Sequence, residues 1–309
     1  MTRKILIFPL FLFCQAPISA ASTEISPYER PRLTTFLTRQ PGDLKEFFHV
    51  TFRKETLPTA AVLAASTGLL IIYDQRLYDK TYALGDQWGI SHEGQQHSVV
   101  KVNNPFVGGK KLSLLGMPRN VGTALYFLGD GWFHGAITAS FLAYGLAASD
   151  NRALRTSSQL AEAILADGIV VQTLKHLTGR ENPDTLTAPG GKWRFFPNQK
   201  DYHKHVNKYD AFPSGHLPTA LITVTVIAEN YPECKFVYPL GYALMGGLAF
   251  QMVNNGVHWW SDYPLALYLG YSFAHIAVNG GRAAPGAGRL GLMPIMAEGR
   301  AGAGIYYRF

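Results

Sequence analysis

Carboxylates lying in the middle of apolar, helix-length segments constrain what this chain can fold into. Five stretches with helical periodicity, 121–149, 157–177, 216–230, 236–254 and 262–278, follow a first apolar run at 58–73. Asp130, Glu162 and Asp167 fall inside two of them. An ionised carboxylate turned toward lipid is expensive, so each of these must face a bundle interior, a cavity or water. The expected fold is therefore all-α, a six-helix bundle whose helices hide their charges from any surrounding lipid. Pro218 near the start of the 216–230 segment is tolerated, because the first N–H groups of a helix have no partner within it.

Composition sets the surroundings. Hydrophobic residues make up 47% of the 309 residues and charged residues only 16%, against about 25% in typical soluble domains. Such a chain has little wet surface and is expected to associate with a membrane. Arg3 and Lys4 precede the apolar run Ile5 to Phe13, and small residues end at Ser19-Ala20, which reads as a secretory signal over 1–20. Its removal takes away Arg3 and Lys4 and no acid, so a formal charge of +7 falls to +5. A modest positive charge suits an anionic lipid surface or substrate. With no dense Lys/Arg stripe interleaved with aromatics, nucleic acid is not an expected partner.

Residues 21–119 read as an N-terminal extension with one apolar helix, whose run at 58–73 falls short of the ~20 residues that cross a bilayer. The connector over 74–118 carries Asn103-Asn104-Pro105 and Gly108-Gly109, which argue against regular structure. The main helical unit spans 120–280. The tail, 281–309, reads as a Gly/Ala linker over 281–288, then a short β-hairpin whose arms flank Glu298-Gly299.

The chemistry concentrates in three ordered blocks. Phe212-Pro213-Ser214-Gly215-His216 places small residues and an imidazole together, and His258 follows 42 residues later with Asp262 four beyond it. Backbone N–H groups beside an imidazole suit an oxyanion next to a general acid, while an imidazole with a carboxylate suits an oriented nucleophile. Upstream, Lys175 opens a block running to Pro183 that adds cations for an anion. No cluster here has metal-ligand spacing, so neither a metal nor another cofactor is expected.

In these blocks the chain resembles the type 2 phosphatidic acid phosphatase superfamily, which also holds bacterial acid phosphatases and vanadium haloperoxidases. That pattern is a Lys, six residues and Arg-Pro; then Pro-Ser-Gly-His; then Ser-Arg, five residues, a His, three residues and an Asp. Lys175, Pro213 to His216, His258 and Asp262 keep every spacing, whereas Asn182 replaces the first Arg and Gln251-Met252 replaces Ser-Arg. The resemblance spans roughly 120–280.

It implies a helical bundle of that family's type and phosphate-ester hydrolysis, with His258 as nucleophile, Asp262 holding its tautomer and His216 as general acid. Lys175, Arg180, Asn182, Ser214 and Gly215 are the expected phosphate-binding residues. Asn182 and Met252 grip an anion less well than arginines do, and the loop from Lys192 to His205 is the expected source of substitute cations. The implied substrate is a lipid or polyprenyl phosphate, or a small-molecule phosphate, met at the periplasmic face and at the inner membrane rather than the outer one. Two other functions stay open: vanadate-dependent halide oxidation, and a catalytically inactive envelope scaffold or binding protein.

Overall fold

The computed structural model describes residues 28–93, 96–103, 111–280, 289–297 and 300–308. The expected signal over 1–20 and linker over 281–288 lie outside them. The described residues are mostly helical.

The central helix is set by its two ends. Asp150 accepts hydrogen bonds from the N–H groups of Arg152 and Ala153 at 2.8 and 3.1 Å, which caps the start of a helix at Asn151–Thr178. At the other end Gly179 takes φ 55°, the left-handed conformation that ends helices at low cost only for glycine. A Cβ there would lie 2.2 Å from the Arg194 carbonyl oxygen.

Numbered along the chain, the helices are α1 Thr35–Thr38, α2 Gln40–Thr51, α3 Leu57–Gln87, α4 Val121–Phe127, α5 Gly131–Ala147, α6 Asn151–Thr178, α7 Gln199–Lys204, α8 His216–Asn230, α9 Val237–Asn254 and α10 Tyr263–Asn279. One core lies where α6, α8 and α10 meet, around Leu160, Val171, Ile222, Val226, Leu269 and Phe273, with Phe47 of α2 and Phe141 of α5 closing it. A second joins α8 to α9 through Leu217, Leu221, Leu248, Met252 and Val253. Each fully buried side chain of this kind is worth about 1.5–3 kcal/mol. The motif residues sit on the ends of these helices, so the two cores fix their spacing.

Three expectations change. The first apolar helix does not stop at residue 73 but continues to Gln87 as α3, because Asp74, Thr81 and Gly85 form one buried stripe. The hydropathy pattern hid this, since the stripe facing the protein is polar while Leu57, Val62, Leu69 and Ile72 face outward. With the turn before it, the helix spans Lys54–Gln87 and contains an 18-residue window of mean hydropathy 1.6, by length and composition enough to cross a membrane. Second, the segment at 121–149 is two helices, broken around Gly129-Asp130-Gly131. Third, the connector is not irregular throughout. Strand β1, Gln96–Asn103, pairs antiparallel with β2, Lys111–Pro118, in a register running from Gln96 opposite Pro118 to Asn103 opposite Lys111. The Val/Leu content of both arms outweighs the turn residues between them. In the tail, β3, Arg289–Ala297, pairs antiparallel with β4, Arg300–Arg308.

Candidate active site

His258 follows α9 and is about 1% exposed. Its Nδ1 lies 2.8 Å from the Ala211 carbonyl oxygen and 3.4 Å from Asp262 Oδ2. Both neighbours only accept, so Nδ1 carries the proton and the lone pair is left on Nε2. That Nε2 is buried with no partner among the described residues. Burial lowers the ring's proton affinity; Asp262 opposes this, and the charges of Lys175 and His216 reinforce it. His258 is thereby held neutral, the form in which an imidazole attacks.

His216 is the first residue of α8. Its ring centroid lies 6.0 Å from that of His258 at an interplanar angle of 71°, and its Nδ1 is also buried without a partner. Its Nε2 faces Asp130 Oδ1 at 3.7 Å. Gly129 makes this approach possible: a Cβ there would lie 2.7 Å from His216 Cβ. Asp130 is thus a site residue that the motif blocks did not indicate. Its only sequence signal is the pair of glycines flanking a carboxylate inside an apolar stretch.

The expected anion ligands divide. Lys175 reaches the site from the last turn of α6, close to Gly215, whose Cβ position would lie 3.9 Å from Lys175 Cε. Its Nζ donates to the Asp210 carbonyl oxygen at 2.7 Å and to Asp210 Oδ2 at 2.8 Å, and the Tyr202 hydroxyl donates to Oδ1 of the same carboxylate. Burial by itself would raise the Asp210 carboxyl, but the Lys175 charge and the hydrogen bonds from Lys175 and Tyr202 outweigh it and hold it below the usual range. Asn182 donates its backbone N–H to the Asn207 carbonyl oxygen at 2.9 Å, and its Oδ1 is buried without a partner among the described residues.

Ser214 differs from expectation. Its N–H donates to the Asp262 carbonyl oxygen at 3.1 Å, so it ties the motif to the start of α10 and is not free for an anion.

Arg180 differs more. Its side chain is wholly buried, and all four terminal N–H bonds are used. Nη1 donates to Ser261 Oγ at 2.5 Å and Asp262 Oδ1 at 2.6 Å, and Nη2 to Asp74 Oδ2 at 2.7 Å and the Gly190 carbonyl oxygen at 3.0 Å. The guanidinium also lies over the Trp193 and Trp259 rings, at 4.7 and 5.4 Å. Arg180 is an internal strut because Gly179 turns the chain inward before it, so it is not placed to grip a phosphate.

The loop expected to substitute for arginines does other work. Arg194 pairs with Glu181 at 3.2 Å and donates to the Lys208 carbonyl oxygen at 3.0 Å. Lys192, Lys200 and Lys204 are exposed. Gln251 and Met252 are fully buried, Gln251 donating to the Ser91 carbonyl oxygen at 2.9 Å and Met252 packed in the α8–α9 core. Both site cations, Lys175 and Arg180, are therefore already matched by carboxylates.

The arrangement offers a nucleophilic nitrogen, a facing imidazole and one ammonium, enough for group transfer from an anion. Among the described residues, no group of three or more His, Cys, Asp or Glu side chains is placed to hold a metal ion. Residues 157–284 match the family model described as PAP2 superfamily. No curated protein and no solved structure matches the chain.

Proposed function

We propose, from the match of residues 157–284 to the PAP2 superfamily model, that the protein is a metal-independent phosphatase that hydrolyses a phosphomonoester through a phosphohistidine. The observation that carries this is the pair of buried, unpartnered ring nitrogens, His258 Nε2 and His216 Nδ1, on rings 6.0 Å apart. A buried nitrogen with no partner is costly unless a ligand supplies one.

In this mechanism His258 Nε2 attacks phosphorus and the ester oxygen leaves with a proton from His216. The positive charge that develops on His258 is stabilised by Asp262 and the Ala211 carbonyl oxygen at Nδ1. Water then cleaves the phosphorus–nitrogen bond, with His216 taking its proton. Lys175 and the N-terminus of α8 are the groups that face the phosphoryl oxygens.

The substrate is a lipid or polyprenyl phosphate, and the protein is exported and membrane-associated. The outward apolar face of α3 supports the membrane association, together with exposed Leu146 of α5 and Leu240, Tyr242 and Leu244 of α9. The test is turnover of a generic phosphomonoester and a set of lipid phosphates by purified protein, with and without chelator. A requirement for divalent metal, or phosphate release undiminished in His258→Ala, would sink the mechanism. The internal pairing of both cations favours one second reading, an inactive envelope scaffold. Absence of turnover on every phosphomonoester tested would leave that one standing.

A further inference from the structure

Asp210 has no place in the mechanism above, yet it lies against Lys175, the ammonium proposed to face the anion. Lysine has three N–H bonds, and two of those on Lys175 go to Asp210, at 2.7 and 2.8 Å. One is left for a ligand, and the positive charge is cancelled in place. Arg180 bonds hold the arrangement: the Ala211 N–H donates to the Arg180 carbonyl oxygen at 3.0 Å, which pins the backbone on the C-terminal side of Asp210. The Tyr202 hydroxyl fixes the other carboxylate oxygen.

An oxyanion bound beside His258 therefore meets a carboxylate as well as an ammonium. A doubly ionised phosphate ester has no proton to give and is repelled by it. A singly ionised phosphate has a P–OH that can donate to that carboxylate, a hydrogen bond to a charged acceptor. We propose that Asp210 is a specificity-determining residue that makes the site accept a phosphate ester as its protonated monoanion and reject anions with no proton to give. This rests on the phosphatase function proposed above and deepens it.

The groups facing Asp210 come from four elements: Lys175 of α6, Tyr202 of α7, Tyr126 of α4 and His258 before α10. Lys175 and Tyr202 keep the Asp210 carboxyl ionised, so across neutral pH the proton in question belongs to the ligand. Any charge on the histidines acts on both probe anions, and a ratio between two anions at one pH cancels most of it.

Sulfate and methylphosphonate are the probes: neither is hydrolysed, sulfate has no proton to donate, and methylphosphonate has one only as its monoanion. Calorimetric titration of the full chain at about pH 5.5, where methylphosphonate is the protonated monoanion, should show it binding about tenfold or more tighter than sulfate, the value of one hydrogen bond to a charged group. The ratio should shrink toward one at about pH 8.5 as methylphosphonate loses that proton. In Asp210→Asn the amide can donate to either anion, so sulfate should gain and the preference collapse. A wild-type preference that is absent or flat with pH overturns the proposal, as does a preference unchanged in Asp210→Asn. The wild-type pH series decides alone if that variant loses its circular dichroism spectrum. Turnover of a phosphomonoester without phosphonate-over-sulfate selection removes only this inference. No binding of either anion, with no turnover, removes the phosphatase function as well.

Discussion

Arg180 and Asp262 form an ion pair of 2.6 Å with both side chains completely buried. The same carboxylate faces His258 Nδ1 at 3.4 Å with its other oxygen, so the guanidinium positions the group that positions the nucleophile. Asp74 takes the far side of the guanidinium at 2.7 Å and accepts from the Ser261 N–H at 3.1 Å. Helix α3, outside the family-matched segment, is thereby wired into the site.

Removing one partner of such a pair leaves a buried charge uncompensated. Arg180→Ala is expected to lower stability by about 3–5 kcal/mol and to reduce kcat. Arg180→Lys keeps the charge but fills fewer of the four acceptors and should fall between. Neither should weaken phosphate inhibition by more than about twofold once the folded fraction is accounted for, since a strut touches no ligand. Urea titration and inhibition constants measure the two effects separately. A large loss of phosphate affinity in folded Arg180→Lys would restore Arg180 as an anion ligand.

Asp262→Asn is expected to cost about 10³–10⁴ in kcat, the scale seen when a carboxylate orienting a catalytic imidazole is replaced by an amide. The pH profile should move as well. Burial lowers the proton affinity of His258 below the ordinary 6.5, and Asp262 partly restores it. The acid limb of kcat/KM due to His258 therefore lies below that value, and it should shift further to acid in the variant. The linked stability has the same sign: the unfolded chain binds this proton more readily, so the contribution is present above pH 6.5 and lost as pH falls through the folded value. A limb that moves to higher pH in Asp262→Asn contradicts the assignment.

Asp130→Asn tests the group behind His216. With Nε2 only 3.7 Å from Asp130 Oδ1, the carboxylate orients the ring that must hand its proton to the leaving oxygen. An alkyl phosphate, which needs that proton, should lose about tenfold or more in kcat. An aryl phosphate with an acidic leaving group should lose less than about threefold. Equal losses on both substrates would mean that Asp130 acts only through the fold.

Much of this was legible because motif spacing carries geometry. Lys175, His216, His258 and Asp262 could be placed from the sequence, since each sits at the end of a helix whose apolar period is clear. What could not be read depends on direction rather than spacing. Arg180 lies five residues beyond Lys175, and only the left-handed turn at Gly179 decides that it points inward. Asp210 sits between Tyr209 and Ala211 outside any periodic stretch and Asp130 between two glycines inside one, and both become site residues through contacts distant in sequence. The lysines of the 192–205 loop looked available for the same reason: composition shows a charge but not which way the loop presents it. Helix α3 reads as ending at residue 73 because Asp74 and Gln75 are followed by exposed Arg76, Asp79 and Lys80, which end the apolar run but not the helix.

That inverted helix makes the final prediction. Leu69 is 58% and Ile72 76% exposed, while Asp74, two residues on, is wholly buried. A face like this suits lipid, and burying one such side chain is worth about 1.5–3 kcal/mol. Leu69→Asn with Ile72→Asn should therefore weaken flotation of the full chain with phospholipid vesicles by roughly a hundredfold. Stability should change little, by about 0.5 kcal/mol or less, because neither side chain packs on the protein. Turnover of a short, water-soluble phosphomonoester should also hold, whereas turnover of a vesicle-borne lipid phosphate should drop with the binding. Vesicle binding unchanged in the double variant would move the membrane contact to another face of the bundle. Loss of both activities together would show that the two positions support the site through α3 rather than through lipid.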